Sequence, residues 1–148
     1  MAAGISVSEE QIPAFRESFG NHVTQHAQPE ALEPKLHIDG ILGLEDLDLD
    51  FLYQYERLQP FGSGNAVPVF VAREVWLSEE PKHLKNNHLK LWLRQGHAEK
   101  DAMFFGGGEH DLPEPPWDVA FTIDRNVFRG VTSCQMLVRA VRPAAKLD

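Results

Sequence analysis

The sequence predicts an α+β fold that is mainly β: a five-stranded barrel preceded by two helices and a short strand. Two observations carry this prediction. The apolar period is three to four residues up to a glycine-rich loop at residues 58–67 and two residues beyond it. After that loop come five short β-branched and aromatic runs with no helical period between them.

The elements follow in order. Residues 8–26 read as an amphipathic helix with Ile12, Phe15, Phe19 and Val23 on one face. Ser8 and Gln11 have capping-box spacing. Pro13 lacks a backbone donor, which moves the expected start toward that residue. A short strand is expected at Lys35 to Asp39, before Gly40 and Gly43 break the chain. Residues 44–58 predict the second helix, its stripe formed by Leu44, Leu47, Phe51, Tyr55 and Leu58. Glu45, Asp46, Asp48 and Asp50 crowd its first half, at the positive end of the helix dipole. The alternation in DLDLDF also fits a strand, but the spacing of three and four continues past it. Strands are then expected near 68–78, 88–95, 101–106, 118–124 and 131–142. The segment GGGEHDLPEPP, residues 106–116, is a loop by composition. The OB-fold is the five-stranded Greek-key barrel that fits this size.

The 148 residues suit one domain, or a small domain carrying part of another. Hydrophobic residues at 43% and charged residues at 24% are a globular composition. No apolar run approaches a membrane span, and the first residues lack a basic-then-apolar pattern. Cys134 is the single cysteine, which excludes an internal disulfide framework and fits a reducing, cytoplasmic compartment. The net charge of −8 argues against a general nucleic-acid binder. The charge is uneven, however: residues 1–56 carry −9, residues 57–100 carry +3 and residues 101–148 carry −2. A charge step at the glycine-rich loop predicts two units with different partners.

In that loop Gly62 and Gly64 are expected to supply positive φ angles, Pro60 to stop the helix, and Asn65 to bond its own backbone. A phosphate loop needs a lysine and a hydroxyl after its glycines, and a dinucleotide loop follows a strand and opens a helix. This loop closes a helix and opens a strand, so Pro60, Phe61, Gly62, Gly64 and Asn65 read as a structural joint.

In NNHLKLWLRQG, residues 86–96, strand alternation points Leu89, Leu91 and Leu93 to the core, and His88, Lys90, Trp92 and Arg94 outward. Cations interleaved with a ring are how single strands are held, phosphate by phosphate and base by base. An ordinary solvated face with one exposed tryptophan fits the same pattern. Lys82, His83 and Lys85 just before it add positive charge. His22 and His26 share a helix face, but no third ligand accompanies them, so they read as a polar flank. Cys134 alternates with Met136 and Val138 and reads as a buried, inert thiol. No nucleophile elbow, paired-carboxylate motif or metal signature is present, so no catalytic or metal residue is assigned and the chain alone is expected to be inactive.

LQPFGSGNAVPVF, residues 58–70, resembles the Pro-Phe-Gly-x-Gly-Asn-Pro-x-Pro-x-Phe junction of the RecJ family of single-strand-specific DNA exonucleases. HLKLWL is similar to the His-Leu-Lys-Leu strand of that family's C-terminal OB domain, and AMFF to its next strand. DVAFTIDRNVFRG resembles its hairpin with Asn-x-aromatic-x-Gly, matched by Asn126, Phe128 and Gly130, and SCQMLVRAVRP its last strand. MAAGISVSEEQIPAFRESF resembles the end of the DHH-associated domain, where the family carries Gly-Gly-His just upstream. Ala66 stands where the family has proline, and Asn87 where it usually has glycine.

The resemblance implies a division into residues 1–43, the end of the DHH-associated domain; 44–67, a connecting helix and joint; and 68–148, the OB-fold. It implies a parent enzyme that hydrolyses single-stranded DNA from the 5′ end, with Mn²⁺ or Mg²⁺ held by a catalytic DHH domain lying before this chain. The expected nucleic-acid contacts are Lys82, Lys85, His88, Lys90, Trp92, Arg94, Arg125 and Arg129. Expected partners are single-stranded DNA, the DHH domain and the single-strand-binding protein; an interaction module for a partner protein is the alternative.

Overall fold

The computed structural model describes residues 4–28 and 35–145; the outermost ends of the expected 1–43 and 68–148 segments and residues 29–34 lie outside it. The chain divides into two compact units, Met1–Leu36 and His37–Asp148.

Among the described residues the first unit holds the helix α1 (Ile12–His26), preceded by a 3₁₀ turn at Glu9–Gln11. Pro13 sits in its first turn, as its missing donor allows. The expected capping box does not form. Gln11 N–H bonds the Ser8 carbonyl at 2.9 Å, so the backbone of the turn takes the place of the side chains. Phe15 and Phe19 stack at 5.6 Å on the predicted face, and His22 and His26, each seven residues further on, stack at 4.1 Å along the same stripe.

Among the described residues the second unit contains one helix, α2 (Leu49–Glu56), and seven strands: β1 (Gly40–Ile41), β2 (Phe70–Leu77), β3 (Lys82–His83), β4 (Leu89–Gln95), β5 (Ala98–Phe104), β6 (Trp117–Phe128) and β7 (Val131–Pro143). The helix expected over 44–58 is split. Asp48 is extended and its carboxylate accepts the Phe51 N–H at 2.7 Å, so it caps a new helix; Leu44–Asp46 form a separate 3₁₀ turn. The short strand expected at 35–39 falls one step later, at Gly40–Ile41. The Asp39 carboxylate takes the Val69 N–H at 2.8 Å, and only beyond it does the ladder with β2 begin.

The sheet order is β1-β2-β6-β7-β5-β4-β3, and β2 also pairs with β4. The described residues therefore form seven strands and not five. The two extra strands are two residues long, too short to show any alternation. The five long strands correspond to the five expected, and their pairings β2–β6, β6–β7, β7–β5, β5–β4 and β4–β2 run in a cycle. All are antiparallel except β5–β7. β6 outlasts its predicted end because a two-residue turn, Arg129 at φ +50° and Gly130 at φ +80°, matches the twist of a hairpin and lets the pairing with β7 run up to it.

One core serves this unit. Leu91, Leu93, Val119, Phe121 and Met136 from the strands are fully buried, together with Leu44 and Leu52 from the segment before the loop. Residues 44–56, read from sequence as part of a connector, thus pack as part of the same unit as the sheet. Among the described residues no helix is long and apolar enough to cross a membrane.

Candidate nucleic-acid interface

The glycine-rich loop is a tight turn. Gly62 and Asn65 exchange backbone bonds at 2.8 and 3.1 Å, and Asn65 Nδ2 donates to the Leu58 and Pro60 carbonyls at 2.9 Å each. Only Gly64 has positive φ, at +83°; Gly62 does not, because it occupies a bridge position flanking the turn. Phe61 packs on Tyr55 of α2 at 5.4 Å, so the loop is clamped to the helix it follows.

β4 alternates as its sequence dictates. Leu89, Leu91 and Leu93 are 2%, 0% and 0% exposed, while Lys90 and Trp92 are half-buried and Arg94 is exposed on the outer side. Lys90 Nζ lies 5.0 Å from the Trp92 ring centre, close enough for a cation–π contact. β5 answers this basic face with acids. Asp101 stands opposite Trp92 and Glu99 opposite Arg94, and Asp101 pairs with Lys90 at 2.7 Å. Lys82 of β3 stands opposite Lys90 from the other side, and Lys85 follows in the same connection.

The eight expected contacts thus separate. His88 is spent on structure: its Nδ1 accepts the Gly106 N–H at 3.0 Å, and its ring meets Phe105 edge-on. Arg125 makes a two-pronged pair with Glu56 of α2, and its guanidinium lies 5.3 Å from the Tyr53 ring. Lys90 is held by Asp101. Lys82, Lys85, Arg94 and Arg129 have no carboxylate partner among the described residues. Lys82, Lys90, Trp92 and Arg94 share the region around β4; Arg125 and Arg129 belong to the β6–β7 hairpin.

Between that hairpin and β5 runs a concavity of about 650 Å³, lined by Lys90, Asp101, Met103, Asn126, Phe128 and Ser133 among others. Phe128, 65% exposed, stands at the hairpin tip with the Arg129 guanidinium 5.2 Å from its ring. Cys134, half-buried, opens onto the same concavity; burial pushes its thiol up to about 11, which disfavours the thiolate at neutral pH. Among the described residues no three His, Cys, Asp or Glu side chains cluster as metal ligands.

Two residues escaped the sequence reading. Asp101, opposite Trp92, becomes visible only once the β4–β5 register is known. Trp76 is 45% exposed because the register with β6 shifts between Ala72 and Val75, which inverts the inside–outside alternation of β2.

The model of the RecJ OB domain matches residues 38–140. The chain belongs to the RecJ OB domain family. A curated relative, the single-stranded-DNA-specific exonuclease RecJ of Haemophilus influenzae, is 29% identical over 148 residues, covering 97% of this chain and 26% of the relative. The chain therefore spans about a quarter of that relative's length. Solved structures of RecJ from Thermus thermophilus share the fold. The complex with Mn²⁺ matches with a TM-score of 0.64 at 23% identity over 98% of this chain and 21% of its own. The complex with Mg²⁺ matches with a TM-score of 0.66 at 21% identity over 97% of this chain and 22% of its own. In a RecJ OB domain, β4 and β5 are the second and third strands of the five-strand cycle, the pair whose outer face binds oligonucleotides in OB-folds.

Proposed function

We propose that this chain is the non-catalytic C-terminal portion of a RecJ-like 5′–3′ single-stranded-DNA exonuclease of DNA repair and recombination, acting in the cytoplasm. The observation that carries the reading is the outer face of β4 in a RecJ OB domain: Trp92 between Lys90 and Arg94, with Lys82 alongside. The cycle of strand pairings supports reading the sheet as the OB barrel. Residues up to Leu36 are the end of the DHH-associated domain, and the unit from His37 onward, which includes the joint at 58–67, holds and steers the strand. Mn²⁺ or Mg²⁺ belongs to the catalytic DHH domain, beyond the residues present here.

The test is titration of the chain with oligo-dT at two salt concentrations. Binding that weakens steeply with salt, with quenching of tryptophan fluorescence, supports the proposal. Salt-insensitive binding or none overturns it.

A second reading has its own support. Lys90 and Arg125 are committed to carboxylates, and Val127, Phe128 and Val131 expose an apolar hairpin tip. That tip suits a protein partner such as the single-strand-binding protein. Under this reading Phe128→Ala abolishes partner capture and leaves oligo-dT binding unchanged.

A further inference from the structure

On the outer side of the sheet, β2 and β4 meet along a short antiparallel seam with Trp76 opposite Arg94. Trp92 precedes Arg94 by two residues and shares its face. Trp76 and Trp92 are therefore diagonal neighbours, a relation that places positions about 7–8 Å apart. Beside Trp76 the chain bulges. The register slips between Ala72 and Val75, and Glu74 takes φ +54°, a region few non-glycine residues adopt. The bulge is held from within: Gln95 Nε2 donates to the Arg73 carbonyl at 2.7 Å, while its Oε1 accepts the Leu44 N–H at 2.8 Å. Its consequence is a concavity of about 520 Å³ that gathers Arg73, Trp76, Arg94 and Pro116, with Glu74 also on its wall.

The two sides of β4 differ in charge. Toward β5, Lys90 is neutralised by Asp101 and Glu99 faces Arg94. Toward β2, neither Arg73 nor Arg94 has an ion-pair partner among the described residues, Glu74 included. We propose that the β2–β4 seam is a second base-stacking site for single-stranded nucleic acid. Trp76 stacks one base, Arg73 and Arg94 take the flanking phosphates, and the strand passes from Trp92 across the seam, away from the acids of β5. Rings and guanidiniums alternating over two strands match a polymer that alternates base and phosphate. This inference rests on the single-strand reading above.

The test measures binding of the whole chain to labelled oligo-dT and to an abasic oligodeoxynucleotide of equal length. Trp76→Ala should lower oligo-dT affinity about fivefold or more, while abasic binding changes less than about twofold. Trp76→Phe keeps a ring and restores oligo-dT binding, which separates stacking from misfolding. Arg73→Ala should weaken both ligands and lower the salt slope by about one. If the parent binds oligo-dT and Trp76→Ala binds it equally well, or loses both ligands equally, the seam inference falls and the single-strand reading stands. If the parent binds no oligo-dT, both fall. Binding of a poly-glutamate peptide that Trp76→Ala and Arg73→Ala abolish, in a parent that ignores oligo-dT, replaces the inference with an acidic-protein contact.

Discussion

Arg125 grips Glu56 with two guanidinium N–H groups, at 2.7 and 2.5 Å, and so fastens the β6–β7 hairpin to α2. The two residues are far apart in sequence, and their pairing at the surface commits to a carboxylate a cation that reads as a DNA contact. The same pairing holds the Glu56 carboxyl below its usual range, chiefly through the hydrogen bonds from Arg125. A lowered folded-state pKa stabilises the fold above the ordinary glutamate range and loses that contribution as pH falls through the lowered value. Melting followed from pH 7 toward pH 3 should therefore show an acid-side loss that is smaller in Glu56→Gln. Arg125→Ala should raise hydrogen exchange at the hairpin and leave oligo-dT affinity near the parent's.

Gly64 should be sensitive to alanine and Gly62 tolerant of it. Gly64, at φ +83°, holds a conformation that costs an L-residue about 1–2 kcal/mol. Gly62 lacks positive φ, and a Cβ there meets nothing within 4 Å, so its alanine variant should stay within about 0.5 kcal/mol of the parent. Urea unfolding of the two variants decides this; equal destabilisation would mean the turn is not what constrains the loop.

Adjacent positions in β4 should separate stability from binding. Leu91 is fully buried, and Leu91→Ala should cost about 2–5 kcal/mol through the cavity it leaves. Trp92→Ala should melt near the parent yet bind oligo-dT about tenfold more weakly. Arg94→Ala should lower the salt slope of binding by about one.

Cys134 should react slowly with a thiol reagent at pH 7, because desolvation raises its pKa to about 11 and little thiolate forms. Unfolding in urea should restore ordinary reactivity. Fast labelling of the folded chain would show the thiol to be solvated.

The buried leucines of β4 were legible because strict alternation needs only one strand to be read. The junction turn was legible because Asn65 and Gly64 do their work within a few residues of one another. Long-range partners were not. Nothing in residues 86–96 announces that Asp101 will neutralise Lys90, or that Glu56 will claim Arg125. The bulge at Arg73–Glu74 defeated alternation outright: counted from buried Ala72, Trp76 should face the core, and one extra residue turns it to solvent. The split helix followed from a competition that pattern alone does not settle, in which Asp48 gains more by capping than by continuing a turn.

The cycle of strand pairings also sets a timetable for the newborn chain. β2 waits for β6, which lies beyond β3, β4 and β5 in the chain, and β5 waits for the parallel partner β7 at the end of the unit. On the ribosome, Leu44, Leu52 and the leucines of β4 emerge before Trp117, Phe121 and Met136, the neighbours that complete their core. Such sequence-distant closure places this unit among the slow folders, in the range of roughly milliseconds to seconds. Until the last strand docks, the nascent polypeptide carries a half-built apolar surface, and a stop codon shortly after β6 would leave it that way.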